Sequence, residues 1–172
     1  MIVFLTGGAR SGKSTLAVTL AERADRPVRV IATAEAVDAE MERRIRAHRA
    51  SRPSSWAVVE EPLDLVGALR DAGEDVVLVD CITLWLANLL AERDDEEILA
   101  LVDEAVAIAA GRAADTIIVS NEVGSGIVPM DPVGRRFRDL QGWANQRFAA
   151  AATRAYLVVA GQTVALAPST PP

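Results

Sequence analysis

The 172-residue chain contains one cysteine, Cys81, one histidine, His48, and one lysine, Lys13. A single cysteine excludes an internal disulfide and a cysteine-based zinc site. No uninterrupted apolar run reaches the length of a membrane span, although 51% of the residues are hydrophobic. The N-terminus also lacks the basic start and cleavage site of a signal peptide, so a cytoplasmic protein without membrane insertion is expected. A formal net charge of −6 argues against tight, non-specific binding of nucleic acid, and no nucleic-acid partner is expected. Repeats and linkers are absent. At this length the chain can bury one sizeable core. Residues 1–167 therefore read as one domain, and 168–172 as a short tail with no reason to be ordered.

The scarcity of lysine makes its one position informative. Lys13 stands in Gly7-Gly8-Ala9-Arg10-Ser11-Gly12-Lys13-Ser14, a G-x-x-x-x-G-K-S run. Ile2 to Thr6 before it form an apolar run short enough for a buried strand, while Leu16, Ala17, Leu20, Ala21 and Ala24 after it recur at helical spacing. Strand, loop and helix are the context a P-loop requires. Its glycines let several backbone N–H groups turn toward one phosphate chain, and the helix N-terminus adds partial positive charge. Lys13 is expected to reach the β- and γ-phosphates and Ser14 to ligate Mg²⁺. Every other cation of the chain is arginine, so a compact ammonium has been kept where phosphate charge is met at a point.

The rest of the chain alternates strand and helix. Val28 to Ala32 reads as a second strand, which puts Ala32-Thr33-Ala34 at the carboxyl edge where open α/β sheets bind ligands. Val37 to Arg49 reads as a helix with Val37, Met41, Ile45 and His48 on one face, so His48 is expected on the inward stripe. Trp56 to Glu60 is expected as a third strand, and Glu61-Pro62 to open a short helix running to about Leu69. Val76 to Asp80 is a continuous apolar run capped by an acid, which suits a central parallel strand. Asp80 has the form of a Walker B carboxylate that holds the Mg²⁺ water shell opposite Ser14. The stripe from Ile82 to Leu90 suits core or subunit interface. Asp94 to Glu97 reads as an acidic helix start and not a metal site.

Thr116 to Ser120 is a fifth strand, followed by Asn121, Glu122 and a glycine-punctuated loop from Val123 to Pro129. Asp131-Pro132 caps and opens a long helix with Phe137, Leu140, Ala144, Phe148 and Ala151 inward. Tyr156 to Ala160 and Thr163 to Leu166 flank Gly161-Gln162 and are expected as an antiparallel hairpin rather than another parallel unit. The fold class is α/β, a P-loop NTPase domain.

With Lys13 as the only lysine, the N-K-x-D base-reading motif of switch GTPases is absent in its usual form, and ABC-type signatures are absent too. A small-molecule kinase is the leading generic reading until the middle of the chain is considered. The P-loop run is joined there by Ile31-Ala32-Thr33-Ala34, by Glu40-Met41 with Arg44-Ile45-Arg46-Ala47-His48-Arg49 and Arg52-Pro53, and by Val79-Asp80-Cys81-Ile82-Thr83. Further on stand Asn121-Glu122-Val123-Gly124 with Gly126-Ile127-Val128-Pro129, and Phe137-Arg138-Asp139 with Gly142 and Asn145-Gln146-Arg147. Together they resemble the bifunctional adenosylcobinamide kinase and adenosylcobinamide-phosphate guanylyltransferase family of cobalamin biosynthesis. The likeness runs from the first strand to about Val159.

This resemblance implies a RecA-like, mostly parallel sheet, a homotrimer, and two reactions on a corrinoid substrate. ATP or GTP phosphorylates the aminopropanol hydroxyl of adenosylcobinamide, and GMP from GTP is then passed to that phosphate through a GMP-histidine intermediate. By position, Gly7 to Ser14, Ala32, Thr33, Ala34, Arg49, Ala50, Ser51, Arg52, Glu60 and Asp80 would contact nucleotide, and His48 would be the nucleophile. Ala47 stands where some members carry a second histidine. The chemistry agrees: a neutral imidazole can attack an α-phosphorus, and a labile phosphoramidate splits one transfer into two. Arg46, Arg49 and Arg52 are expected to offset phosphate charge where the helix presents them to it. Without the family motif, a lone histidine on an apolar face reads as a packed core residue. A monofunctional small-molecule kinase, which needs no His48, and a RecA-like ATPase acting on a macromolecule are the alternatives.

Overall fold

The computed structural model describes residues 1–168; the rest of the expected tail lies outside the described residues. Seven strands form one sheet: β1 (Ile2–Thr6), β2 (Val28–Ala32), β3 (Ala57–Glu60), β4 (Val76–Asp80), β5 (Thr116–Val119), β6 (Arg154–Val159) and β7 (Gln162–Leu166). Their order is β3-β2-β4-β5-β1-β6-β7. Every neighbouring pair is parallel except β6 and β7. The helices are α1 (Lys13–Glu22), α2 (Ala39–Ala50), α3 (Leu65–Arg70), α4 (Ile82–Leu89), α5 (Asp95–Gly111) and α6 (Pro132–Ala151).

Alternation along the strands divides the core into two layers. Phe4, Val77, Val79 and Ile118 face Leu69, Trp85, Leu86, Val102, Leu140 and Phe148 from α3 to α6. Val3, Leu5, Leu78, Ile117 and Val119 point the other way, against Ala17 and Ala21 of α1. Small residues on α1 let that helix lie close to the sheet. On the opposite face the rings of Phe4 and Phe148 stack with centroids 6.4 Å apart. Strands β1, β4 and β5 are sandwiched between these layers, which explains why they read as unbroken Val, Ile and Leu runs.

Helix starts follow local chemistry. Asp94 and Glu97 form a reciprocal capping box at the start of α5, with Asp94 Oδ1 accepting the Glu97 N–H at 2.9 Å. Asp131 caps α6 through the Gly134 N–H, with Pro132 as the first helical residue. The third helix begins later than expected. Asp64 caps it through the Gly67 N–H, whereas the Glu61 carboxylate is occupied by the N–H groups of Leu63 and Asp64 in the turn before it. Trp56 precedes β3 rather than starting it, because its N–H donates to Pro53 O in a turn.

Two expectations need correction. The C-terminal hairpin forms, but β6 also pairs in parallel with β1, so the hairpin extends the main sheet. The second concerns α2, of which no residue is buried. Its apolar stripe is only Met41 and Ile45, both half-buried, among Glu40, Glu42, Arg43, Arg44, Arg46 and Arg49. That is too little apolar surface to offset desolvating so many charges, so the helix stays at the periphery, and His48 is half-exposed and bonded to the Asp80 carboxylate instead of packed in an apolar layer. Among the described residues no helix is long and apolar enough to cross a membrane.

Candidate active site

Because β1, β2, β4 and β5 are parallel, their carboxyl ends share one edge of the sheet. The P-loop lies there between β1 and α1. Gly12 at the start of α1 has φ 102° and Gly7 has φ 149°, values that only glycine adopts without strain. A Cβ on Gly7 would fall 2.2 Å from the carbonyl oxygen of Val158, and one on Gly12 would fall 3.2 Å from Cα of Gly161. The Gly161 N–H also donates to Ser11 O at 2.8 Å. The turn of the C-terminal hairpin is thus seated against the P-loop, a support that no motif in the sequence signals.

Lys13 is buried, and its ammonium donates to the carbonyls of Gly7 at 2.9 Å and Gly8 at 2.7 Å. Burial holds its pKa below the ordinary lysine value, with the Asp80 charge acting in the opposite direction. Gly8, Ala9 and Arg10 are exposed, so the outer rim of the loop is open to a ligand.

The other half of the site comes from the end of α2. Asp38 caps the start of this helix through the Met41 N–H, and Ser51 Oγ donates to His48 O at 2.8 Å at its end. His48 Nδ1 lies 3.2 Å from Asp80 Oδ2, and Arg52 Nη2 donates to the same oxygen at 2.6 Å. Arg52 is 7% exposed and Asp80 13%, whereas His48 is 47% exposed. The bond to Asp80 outweighs partial desolvation and holds the His48 pKa above its ordinary 6.5. Burial alone would push the Asp80 carboxyl up, but the bonds and charges of His48 and Arg52 prevail and hold it below 3.8.

Of the remaining expected residues, Arg49 lies 3.8 Å from Glu60 at the exposed edge, and Arg46 pairs with Glu42 on its own helix. Only Arg52 of these three arginines turns to Asp80. Ala32 pairs with Asp80 across β2 and β4, and both it and Ala34 are half-buried. Thr33 is completely buried, and its hydroxyl donates to Cys81 O at 2.6 Å and accepts the Cys81 N–H at 2.9 Å.

A belt of polar contacts behind this edge was not legible in the sequence. Thr83 Oγ1 accepts the Asn121 N–H, Asn145 Nδ2 donates to Asn121 O, and Ser120, Gln141 and Asn145 bond one another. The Glu122 N–H reaches Gly7 O at 3.0 Å, and its carboxylate accepts the N–H groups of Gly124 and Ser125. Residues 38 apart, such as Thr83 and Asn121, share no local signal.

Among the described residues no three His, Cys, Asp or Glu side chains gather as a metal cage. Ser14 and Asp80 offer hard oxygens, and such a sparse set fits Mg²⁺, which keeps several waters and takes one or two protein groups with substrate phosphates.

Residues 3–166 match the family model described as cobinamide kinase / cobinamide phosphate guanyltransferase. The chain belongs to this family. Relatives of this cobinamide kinase/guanyltransferase family member include the bifunctional adenosylcobalamin biosynthesis protein CobP of Pseudomonas aeruginosa, 48% identical over 160 residues that cover 91% of this chain and 92% of that protein. The bifunctional adenosylcobalamin biosynthesis protein CobU of Salmonella typhimurium is 39% identical over 176 residues, covering 94% and 97%. Among solved structures, an ATPase of the type III secretion system of pathogenic bacteria aligns with TM-score 0.54 at 16% identity, covering 91% of this chain and 51% of that one. The assembled ATPase EscN of enteropathogenic E. coli gives 0.55 at 14%, covering 92% and 43%. The chain spans about half the length of these ATPases, and the likeness is one of fold, a P-loop ATPase sheet.

Proposed function

We propose that the chain phosphorylates the aminopropanol hydroxyl of adenosylcobinamide with ATP or GTP, then transfers GMP from GTP to that phosphate through His48. The products are adenosylcobinamide-GDP and pyrophosphate. The observation that carries this reading is the contact between His48 Nδ1 and Asp80 Oδ2. A proton on Nδ1, donated to Asp80, leaves the Nε2 lone pair free to attack. The N–P bond to the α-phosphorus forms as the bond to the bridging oxygen of pyrophosphate breaks. An oxygen of the corrinoid phosphate then attacks the same phosphorus, the N–P bond breaks, and the imidazole returns neutral. Half-exposure of His48 suits a nucleophile that must meet two large substrates in turn.

In the kinase step, the N–H groups of Gly7 to Ser14 and the Lys13 ammonium would bind the phosphate chain, and the ammonium would leave the Gly7 and Gly8 carbonyls to do so. Ser14 and Asp80 would hold Mg²⁺, which when bound offsets the charge of the phosphates. Ala32 and Ala34, together with Arg49, Ala50, Ser51, Arg52 and Glu60, would line the nucleotide along the same edge, with Thr33 between them turned into the scaffold. A cytoplasmic homotrimer belongs to the same reading. Ile127 and Met130, 98% and 95% exposed, supply apolar surface that assembly would cover, and light scattering reads the assembly.

Incubation with α-labelled GTP tests the mechanism. Label should attach to the protein, be lost in acid and survive mild base, and chase into the corrinoid product on addition of adenosylcobinamide phosphate, while γ-labelled GTP should leave no such mark. A protein that makes adenosylcobinamide-GDP without ever holding label transfers GMP directly, and His48 then has no covalent role.

A further inference from the structure

Thr33 lies among residues expected to touch nucleotide, yet its polar groups point into the scaffold. The Thr33 N–H donates to Asp80 O at 3.2 Å. Its carbonyl accepts Asn88 Nδ2 at 2.8 Å, and the same amide also donates to Pro62 O at 3.1 Å. The hydroxyl both donates to Cys81 O and accepts the Cys81 N–H. A hydroxyl has one donor, and here it is spent on Cys81, so the side chain has none to offer a phosphate or ribose.

We propose that Thr33 is a positioning residue, whose hydroxyl clasps the Cys81 backbone and thereby sets where the Asp80 carboxylate stands at the metal–nucleotide site. The clasp closes on both polar groups of Cys81 at once, so it restrains rotation of the segment next to Asp80 as well as its distance from β2. Asp80 is also held by Arg52 and His48, but those bonds grip the carboxylate, whereas Thr33 holds the backbone that presents it and Asn88 in turn anchors the Thr33 carbonyl. A buried valine has the shape of threonine but would leave the Cys81 N–H and C=O without these partners. The inference rests on the proposed role of Asp80 toward Mg²⁺, and supporting groups of this kind typically change metal affinity by about 10–100-fold when removed.

The test uses the full chain with Thr33→Val and Thr33→Ser, and a non-hydrolysable GTP analogue so that no turnover is needed. Affinity is measured with EDTA and with Mg²⁺, and the ratio gives the tightening due to the metal. In Thr33→Val the affinity in EDTA should stay within about twofold, while the metal-dependent tightening falls by about tenfold. Amide exchange at Cys81 should accelerate in the same variant, and Thr33→Ser should restore both. If the affinity in EDTA falls as far as the affinity with Mg²⁺, Thr33 is a nucleotide contact and the inference is overturned. It is equally overturned if Cys81 exchange accelerates but the tightening is unchanged. Should Thr33→Val not fold, Thr33→Ala compared with Thr33→Ser reads the same quantities. None of these depends on a GMP adduct, so absence of labelling in the parent would count against the proposed function alone.

Discussion

Nδ1 of His48 lies 3.2 Å from Oδ2 of Asp80, a carboxylate 32 residues further along the chain. The helix that carries His48 has no buried residue, so this bond, with that of Arg52, is what ties its last turn to the central strand β4. These two bonds therefore hold the end of a peripheral helix against the P-loop edge.

Replacing His48 by Asn should abolish the acid-labile GMP adduct and guanylyl transfer while most phosphorylation of adenosylcobinamide is kept, since only the transfer needs an imidazole nucleophile. The half-exposure of His48 implies that the variant melts within about 1 kcal/mol of the parent. A folded His48→Asn protein that still forms the adduct would exclude this residue, and no second histidine exists to take its place.

Asp80→Asn should lower the His48 pKa toward 6.5 in the metal-free protein. The lone histidine gives a single imidazole titration by NMR, so the shift is read directly. The stability consequence has a defined window. A raised histidine pKa stabilises below its unfolded value of 6.5 and loses that contribution as pH rises through the folded value. A lowered aspartate pKa stabilises above 3.8 and loses it as pH falls through the folded value. Both contributions are complete only between these two ordinary values, and there Asp80→Asn should reduce metal-free stability most. An identical histidine titration in parent and variant would remove Asp80 as the cause. The same variant should also weaken Mg²⁺-dependent turnover more than folding.

Lys13→Ala should reduce phosphorylation by at least about a hundredfold, the usual order for losing a positioned charge-stabilising donor, and weaken nucleotide binding. No other lysine is present to substitute. Phosphorylation at the parental rate would take the P-loop out of the mechanism.

Gly7→Ala should destabilise the fold by about 2 kcal/mol or more, because its φ of 149° disfavours a Cβ and that Cβ would collide with Val158 O. Gly111→Ala is the control: at the end of α5 with nothing within 4 Å of the added methyl, it should be neutral or stabilising by less than about 1 kcal/mol. Denaturant melts of the two variants, if indistinguishable, would show that the hairpin is not packed on the P-loop as described.

Cys81 should resist alkylation in the native protein at pH 8 and react on unfolding. Burial, with the neighbouring Asp80 charge, pushes its thiol up to about 11, leaving little thiolate. Rapid labelling of the folded chain would show that the segment after β4 opens.

Much of the architecture is written locally. Unbroken apolar runs made β1, β4 and β5 recognisable as covered parallel strands, since burial on both faces removes the polar alternation. Asp94 with Glu97, and Asp131 with Pro132, marked helix starts because a cap is a contact between residues three apart. The P-loop was legible for the same reason: its backbone chemistry is contained in eight successive residues.

Where two segments distant in sequence meet, only the tertiary structure decided the outcome. Helical spacing put His48 on a stripe with Met41 and Ile45, but periodicity states which residues share a face and not whether anything covers it. No residue of α2 is buried, so the half-exposed histidine packs in no apolar layer and instead bonds Asp80. Position at a strand end placed Thr33 among ligand contacts, and the side chain instead bonds Cys81, 48 residues away. Nor does any local pattern bring Val158 and Gly161 against the P-loop. Short-range hydrogen bonds and periodicity are properties of a few neighbouring residues, whereas these contacts depend on strand order, which emerges only when the whole sheet buries its two faces.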